Sequence, residues 1–257
     1  MGRILALEEV SKNFEGVRAI SELSFQAAEN TVKSIIGPNG AGKTTLINMI
    51  TGLLPPSSGK VLFQGRPLGG LKPHVISRLG IARTFQTVEL FEDMTVLENV
   101  MVGRHARSSK GLVSVALRLP GVAREEQDIR ERSLEYLERV GIAEYKDRTA
   151  GNVPLGIQRL VEIARAWASQ PKLLLLDEPA AGLNGAETAS ASRLIRRICD
   201  AGVTVILVEH DMRMVMSISD EVLVINYGRA IAEGPPARVK ADPAVIEAYL
   251  GKSGAHA

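Results

Sequence analysis

The nine residues at positions 37–45 constrain this chain more than any other part of its sequence. They read Gly-Pro-Asn-Gly-Ala-Gly-Lys-Thr-Thr, which matches the phosphate-binding pattern G-x-x-x-x-G-K-[ST]. The segment follows Val32–Ile36, which predicts a short strand, and it precedes Thr44–Leu54, whose apolar residues have helical spacing. In such a strand–loop–helix unit, backbone N–H groups surround the phosphates of a nucleotide. An accidental match in a glycine-rich turn is the alternative, and the flanking elements argue against it.

The loop pattern predicts which residues bind the nucleotide. They are Gly37, Pro38, Asn39, Gly40, Ala41, Gly42, Lys43, Thr44 and Thr45. Lys43 is expected to reach the β- and γ-phosphates, and Thr44 is expected to offer its hydroxyl to Mg²⁺. The expected ligands are therefore the phosphates of a nucleotide and Mg²⁺.

An acidic pair follows the apolar run Leu173–Leu176. A run of this kind is typical of a central parallel strand, and ligands bind at the carboxyl ends of such strands. We expect Asp177 to hold Mg²⁺ together with Thr44, and Glu178 to act as the general base on the attacking water. Paired acids after a strand are often only a solvated turn, but a preceding phosphate-binding loop favours the catalytic interpretation.

Two further polar residues are candidates for the same site. His210 follows the apolar run Val203–Val208, so it is expected at the same sheet edge as Asp177, where it can donate to a γ-phosphate. A single histidine is more often structural. Gln86 lies where a helical block begins, and it could ligate Mg²⁺ or position water; taken alone, it would be considered a surface residue.

The order of predicted elements indicates an α/β fold. The first 35 or so residues predict β-strands, residues 90–168 are mainly helical, and strands alternate with helices after 170, which implies a mostly parallel sheet. Within the helical block, 106–122 predicts an irregular insertion and Ala123–Val140 a charged helix.

Composition excludes several classes of protein. Apolar residues make up 45% and charged residues 23% of the 257 residues, values that disfavour a disordered chain or a rod. The formal charge of +2 gives no support to nucleic-acid binding, and the single Cys199 cannot form an internal disulfide. No apolar stretch approaches the roughly 18–20 residues of a membrane span. Any membrane role is therefore expected to come through a partner.

Taken in order, these motifs resemble the ATP-binding subunits of ABC transporters over nearly the whole chain. The resemblance implies a P-loop NTPase core of the ABC type at 1–87 and 169–257, with an N-terminal antiparallel β region and an inserted α-helical subdomain at 88–168, in one domain. It implies further roles for Phe14 as an aromatic stacked on adenine, Gln86 in the Q-loop, Gly156–Arg159 in the signature region, Ala181–Asn184 in the D-loop and His210 as the switch histidine.

A finer resemblance is to the branched-chain amino acid importer subfamily, the LivG-like subunits. The segments that carry it are Arg83–Phe91, Met94–Val100, Leu176–Asn184, Glu209–Met212 and Val245–Gly251. The resemblance implies ATP hydrolysis that powers import of branched-chain amino acids or related small polar solutes. An exporter subunit of lipid or lipopolysaccharide type and a weakly hydrolysing regulatory module are the alternatives. The stretch after Gln86 is too short for the coiled coil of DNA-repair relatives.

The resemblance also implies partners. In this family two ATPase subunits dimerise head to tail beneath two membrane-spanning permease subunits, and the segment after Gln86 contacts a coupling helix of a permease. A periplasmic or extracellular solute-binding protein is an indirect partner, and no nucleic acid is expected. The implied location is the cytoplasmic face of the inner membrane, through the permease subunits.

One segment departs from the family. The usual signature is Leu-Ser-Gly-Gly-Gln, whereas 153–157 read Val-Pro-Leu-Gly-Ile. The residues expected to face the partner's ATP are Pro154, Leu155, Gly156 and Gln158. Pro154 replaces a serine that gives a hydroxyl and an N–H to that ATP, and proline has neither donor. Pro154 can also begin the helix to Ala168, with Asn152 near its cap. We therefore expect a heterodimer with a different ATP-binding subunit and one weaker hydrolytic site.

Overall fold

The computed structural model describes residues 2–105 and 122–250. The strands are β1 Arg3–Phe14, β2 Val17–Ala28, β3 Val32–Ile36, β4 Ser58–Phe63, β5 Arg66–Pro67, β6 Ile81–Arg83, β7 Leu173–Asp177, β8 Thr204–Val208, β9 Glu221–Asn226 and β10 Arg229–Gly234. The helices are α1 Lys43–Ile50, α2 Pro73–Leu79, α3 Val96–His105, α4 Val122–Val140, α5 Leu155–Ala168, α6 Gly185–Asp200, α7 Met212–Ile218, α8 Pro236–Lys240 and α9 Pro243–Leu250. Short 3₁₀ turns occupy Ala143–Tyr145 and Ala150–Asn152.

The N-terminal strands form an antiparallel sheet in the order β2-β1-β4-β5. Strands β1 and β2 run well beyond the predicted Ile4–Val10 and Leu23–Gln26. Their pairing shifts register near Glu9 and Glu22, which both have positive φ. These irregularities break the apolar–polar alternation on which a strand prediction depends, so the sequence predicts only parts of each strand.

The second sheet brings the motifs together. Its order is β10-β9-β3-β8-β7-β6, and all neighbours are parallel except β9 and β10. Every residue of β3, β7 and β8 is buried, as expected for central parallel strands. The loops that follow these three strands leave the same edge of the sheet, so the predicted α/β architecture is confirmed.

Helices α3, α4 and α5 pack against one another. Tyr136 of α4 meets Trp167 of α5 edge to face, with ring centroids 5.4 Å apart. Leu137 and Val140 are buried on the apolar side predicted for α4. The predicted irregular insertion at 106–122 lies outside the described residues except for Val122, where α4 begins.

Helix α1 is shorter than predicted. It ends at Ile50 rather than Leu54, because Gly52 adopts a left-handed φ of 75° and Pro55 and Pro56 follow. Across residues 2–105 and 122–250, no helix combines the length and apolar character that crossing a membrane requires.

Lys33 is a buried charge within strand β3. Its side chain is 1% exposed. Its ammonium group donates to the Gln26 carbonyl at 2.6 Å, to the Glu221 carboxylate at 2.9 Å and to the Glu233 carboxylate. Gln26 lies in the antiparallel sheet and the two glutamates lie in the parallel sheet. Lys33 therefore links the two sheets through the hydrogen bonds of its side chain.

Replacing this lysine tests the link. Lys33→Met is expected to lower the free energy of unfolding by about 2–3 kcal/mol, because three hydrogen bonds to a charged donor are lost while both glutamates stay partly hydrated. Urea denaturation of the full chain measures the loss. Lys60→Met, at an exposed position of β4, is the control and is expected to stay within about 0.5 kcal/mol. Equal losses in the two variants would contradict the role of Lys33.

Candidate active site

The loop after β3 is held in shape by its own lysine. Ala41 donates its N–H to the Pro38 carbonyl at 3.1 Å. The Lys43 ammonium donates to the carbonyls of Gly37 at 2.7 Å and Pro38 at 3.0 Å. The Lys43 residue is only 8% exposed, so its charge stands inside the turn of the loop. This is the geometry of an anion-binding loop that already contains its cation.

The loop leads directly into helix α1. Gly42 precedes the helix with a left-handed φ of 105°, and no side chain caps the helix. The first-turn N–H groups of a helix have no intrahelical partner and favour a bound anion. Thr44 lies in this turn and is exposed, so its hydroxyl is accessible to a ligand.

Asp177 ends strand β7 as a buried carboxylate. Its side chain is 3% exposed and lies 3.4 Å from the Arg83 guanidinium. Burial raises the pKa of Asp177, and the nearby Arg83 opposes this rise. Arg83 also donates to the Asn48 amide oxygen of α1 at 2.6 Å. Sequence reasoning named Arg83 only as the first residue of the segment Arg83–Phe91 and gave it no role beside Asp177; it lies on β6, the strand beside β7.

The three predicted catalytic side chains converge. Gln86 donates its amide N–H to the Glu178 carboxylate at 3.1 Å, and the Nδ1 atom of His210 lies 3.7 Å from the same oxygen. Glu178 has a φ of 49°, a conformation that is unusual for a residue with a side chain. Its backbone N–H is fixed by the Val208 carbonyl at 2.8 Å. This strained backbone places the carboxylate between the amide and the imidazole.

Glu209 supports this arrangement from beneath. It is 1% exposed, and its carboxylate accepts the backbone N–H groups of Ala180 at 2.9 Å, His210 at 2.7 Å and Asp211 at 3.1 Å. It therefore fixes the turns that carry both Glu178 and His210. Sequence analysis gave Glu209 no role of its own, because a carboxylate beside a histidine resembles a solvated turn.

Phe14 lies at the end of strand β1, in the hairpin with β2, and is 40% exposed. The ammonium group of Lys12 lies 5.1 Å from the centre of its ring. The hairpin contacts the phosphate-binding loop, because a Cβ atom on Gly42 would come 2.7 Å from the Ala19 carbonyl of β2. The predicted adenine-stacking residue thus stands on an element that borders the loop.

The signature residues lie at the start of helix α5. Pro154 immediately precedes helix α5, and no side chain caps the helix. The prediction that Asn152 lies near the cap is therefore wrong, because Asn152 belongs to a preceding 3₁₀ turn. Leu155 is 46% exposed and packs close to Gly182 of the predicted D-loop. Gln158 donates its side-chain amide N–H to the Val153 carbonyl at 3.0 Å. Gly156 lies beside the Glu187 carboxylate.

The predicted Mg²⁺ ligands Thr44, Gln86 and Asp177 suit that ion chemically. They offer a hydroxyl, an amide and a carboxylate, and Mg²⁺ prefers oxygen ligands. Within the described part of the chain, no group of three or more His, Cys, Asp or Glu residues could hold a metal ion. A Mg²⁺ ion bound with nucleotide phosphates needs only one or two carboxylates, so Asp177 fits this requirement.

A parallel sheet with a phosphate-binding loop and an acidic pair at one edge defines a P-loop NTPase with the fold of an ATP-binding cassette. Residues 20–181 match the family described as ABC transporter. Residues 231–255 match the family described as branched-chain amino acid ATP-binding cassette transporter. The chain belongs to the ABC transporter family, whose ATP-binding cassettes hydrolyse ATP to power transport.

Similar proteins support this assignment over the full length. The chain is 42% identical to the high-affinity branched-chain amino acid transport ATP-binding protein LivG of Salmonella typhimurium, covering 97% of this chain and 98% of that protein. It is 41% identical to BraF of Pseudomonas aeruginosa, described in the same words, with the same coverage. The ADP conformation of MJ1267, an ATP-binding cassette of an ABC transporter, superposes with a TM-score of 0.85 at 33% identity, covering 98% of this chain and 100% of that one.

The close contact at Gly42 gives a test of the loop. A Cβ atom there would come 2.6 Å from Ile20 and 2.7 Å from the Ala19 carbonyl, at a φ of 105°. Gly42→Ala is therefore expected to weaken ATP binding about tenfold or more, or ~1.4 kcal/mol, because the loop must shift. Titration of the full chain with a fluorescent ATP analogue measures the affinity.

Gly65→Ala is the matched control. Gly65 also has a positive φ, of 76°, but lies between β4 and β5 with no atom within 4 Å of the added Cβ. We expect a stability loss of about 1–2 kcal/mol from backbone strain and unchanged ATP affinity. Unchanged affinity in Gly42→Ala as well would contradict the role of this contact.

Proposed function

We propose that this chain is the ATPase subunit of a transporter that imports branched-chain amino acids or related small polar solutes. The observation that carries the proposal is the 41–42% identity to LivG and BraF over 97% of the chain. The match at 231–255 to a branched-chain amino acid cassette family adds independent support at the C-terminal end.

We propose that hydrolysis is carried out by the cluster around Glu178. Its carboxylate accepts the Gln86 amide at 3.1 Å, which leaves the second oxygen able to take a proton from an attacking water. His210 is 63% exposed beside it and can donate to a γ-phosphate. Lys43 and the first turn of α1 stabilise the phosphate charge, and Phe14 stacks on the adenine. Mg²⁺, held by Thr44, Gln86 and Asp177, would neutralise charge on the phosphoryl group.

We infer that the permease docks beside the Q-loop. An apolar groove of about 410 Å³ lies among helix α2, strand β6 and helices α3 and α5, and its lining includes Leu53, Phe85 and Phe91. Leu53 and Phe91 are each 51% exposed, and both line this one groove, as expected of an interaction site. The groove would accept one permease coupling helix, with residues 88–168 acting as the helical subdomain. Two permease subunits would hold the pair of ATPases at the cytoplasmic face of the inner membrane.

The second ATPase subunit is proposed to be a different chain. Pro154 leads into α5 without the hydroxyl and N–H that a signature serine offers to the partner's ATP. This chain's own loop, Asp177 and Glu178 would face an intact signature, and the site lined by Pro154 would be the weaker one. The same departure favours a second candidate function, a regulatory module with weak hydrolysis. A solute-binding protein would deliver the substrate to the permease.

The substrate assignment is tested on the complex of this chain with its co-purified partner subunits in vesicles. Leucine, isoleucine or valine, with the solute-binding protein, is expected to raise ATP hydrolysis severalfold. Glu178→Gln is expected to lower hydrolysis about 100-fold or more while ATP still binds, because the general base is lost. Asp128→Asn, at an exposed position of α4, is the control and should match the unmodified complex. Stimulation by urea or aromatic acids alone would overturn the substrate assignment.

The proposed difference in hydrolysis between the two ATP sites of the heterodimer has a separate test. Glu178→Gln in this chain is expected to remove most of the hydrolysis of the complex, because the site formed by this loop has the intact signature. The equivalent substitution in the partner subunit should remove only a minor part. Steady-state phosphate release from the two singly substituted complexes gives the comparison. Equal losses would refute the asymmetric heterodimer, and little hydrolysis in the unmodified complex would favour the regulatory module.

A further inference from the structure

Charged side chains of helix α5 bind the backbone of the Q-loop. Arg159 donates to the carbonyls of Phe85 at 3.1 Å and Gln86 at 2.6 Å. Glu162 accepts the Phe85 N–H at 3.0 Å, and Arg165 donates to the Glu89 carbonyl at 2.5 Å. The three side chains are spaced three residues apart, so they lie along one side of the helix.

Arg159 and Glu162 are buried, and removing their charges from water is energetically unfavourable. Arg159 is 6% and Glu162 is 2% exposed, and the two form an ion pair at 3.7 Å. Burial raises the pKa of Glu162, and the Phe85 N–H and the two arginines oppose that rise. The Arg159 Nε atom has no hydrogen-bond partner among the described residues. A buried ion pair is poor at stabilising a fold, because apolar residues of the same volume often do as well or better. The bonds to the loop backbone therefore call for a functional reason.

The hydrogen bonds between helix α5 and the Q-loop connect the signature segment with Gln86. Helix α5 begins immediately after Pro154, in the segment proposed to face the partner's ATP. The other end is Gln86, whose backbone carbonyl accepts from Arg159 and whose side chain donates to Glu178. A displacement of the helix would therefore move the Gln86 amide relative to the Glu178 carboxylate.

We propose that Arg159, Glu162 and Arg165 form a clamp that ties the Q-loop to the signature helix, and that Arg159 and Glu162 are positioning residues for Gln86. Through this clamp, contact of the signature with the partner's ATP sets the position of Gln86 in this chain's own site. The two ATP sites are thereby coupled. The proposal rests on the hydrolytic role proposed above for Gln86 and Glu178.

A double-mutant cycle between Arg159 and Gln86 tests the clamp. Arg159→Met keeps the aliphatic stem and removes the donors. Each of Arg159→Met and Gln86→Ala is expected to lower kcat of the assembled complex about 10- to 100-fold, because small misplacements of catalytic groups have effects of this size. The double variant should be no slower than Gln86→Ala alone, since Arg159 acts through Gln86. ATP affinity of the full chain that carries Arg159→Met alone should change by less than about twofold, because Arg159 contacts the Q-loop backbone and not the phosphate-binding loop.

The outcomes separate the clamp from the proposed function. If both single variants are slow and their effects multiply, the clamp is overturned while the role of Gln86 stands. If Gln86→Ala hydrolyses ATP normally, the proposed role of Gln86 fails, and the clamp fails with it. If Arg159→Met hydrolyses normally while Gln86→Ala is slow, only the clamp is overturned.

Hydrogen exchange tests the clamp without measuring activity, so it also applies if a variant does not assemble into the complex. Amide hydrogen exchange at Phe85 in the full chain is expected to rise about tenfold or more in Glu162→Leu, which removes the acceptor, and to stay near the native rate in Glu162→Gln, which keeps one. Val161→Ala is the matched control, because Val161 is the neighbouring buried residue of α5 and is apolar. Exchange at Phe85 that rises equally in Val161→Ala and Glu162→Leu would overturn the clamp.

Discussion

The parallel pairing of β3, β8 and β7 determines where the candidate site lies. Each strand is buried along its whole length, and β8 pairs in register with both neighbours. The phosphate-binding loop, the acidic pair at 177–178 and His210 follow these strands, so they meet at one edge of the sheet. The motifs are far apart in sequence, and this pairing brings them together in space. The family's chemistry therefore depends on the alignment of three short apolar strands.

Buried charged side chains lie at three junctions between elements of the fold. Arg83 accompanies Asp177 at 3.4 Å, Lys33 joins the two sheets, and Arg159 pairs with Glu162 beneath the Q-loop. Removing charges from water is unfavourable, and burial indeed raises the pKa of Asp177. These groups are best understood as devices that fix the orientation of loops. A buried ion pair such as Arg159 and Glu162 often stabilises a fold no better than apolar residues of the same volume, so its value lies in the backbone groups that it holds.

Sequence reasoning succeeded where local chemistry is strong and failed where long-range contacts decide. Strands β3, β7 and β8 are predicted to within a residue, because Leu173–Leu176 and Val203–Val208 are mainly apolar runs and Val32–Ile36 directly precedes the phosphate-binding loop. The lengths of β1 and β2 were underestimated because of their register shifts, and Asn152 does not cap α5. Both errors arise because bulges and caps depend on backbone dihedral angles that neighbouring elements impose.

The sequence by itself determined the class of the protein, since a phosphate-binding loop and an acidic pair at ordered positions carry their chemistry in residue type. Tertiary structure alone decided which side chains hold those groups in place. Arg83, Glu209 and Arg159 belong to segments that carry the family resemblance, but no local pattern gives the contacts they make, because their partners are distant in the chain. The physical reason is that orientation in a site is set by hydrogen bonds to backbone groups of other elements, which a linear pattern does not contain.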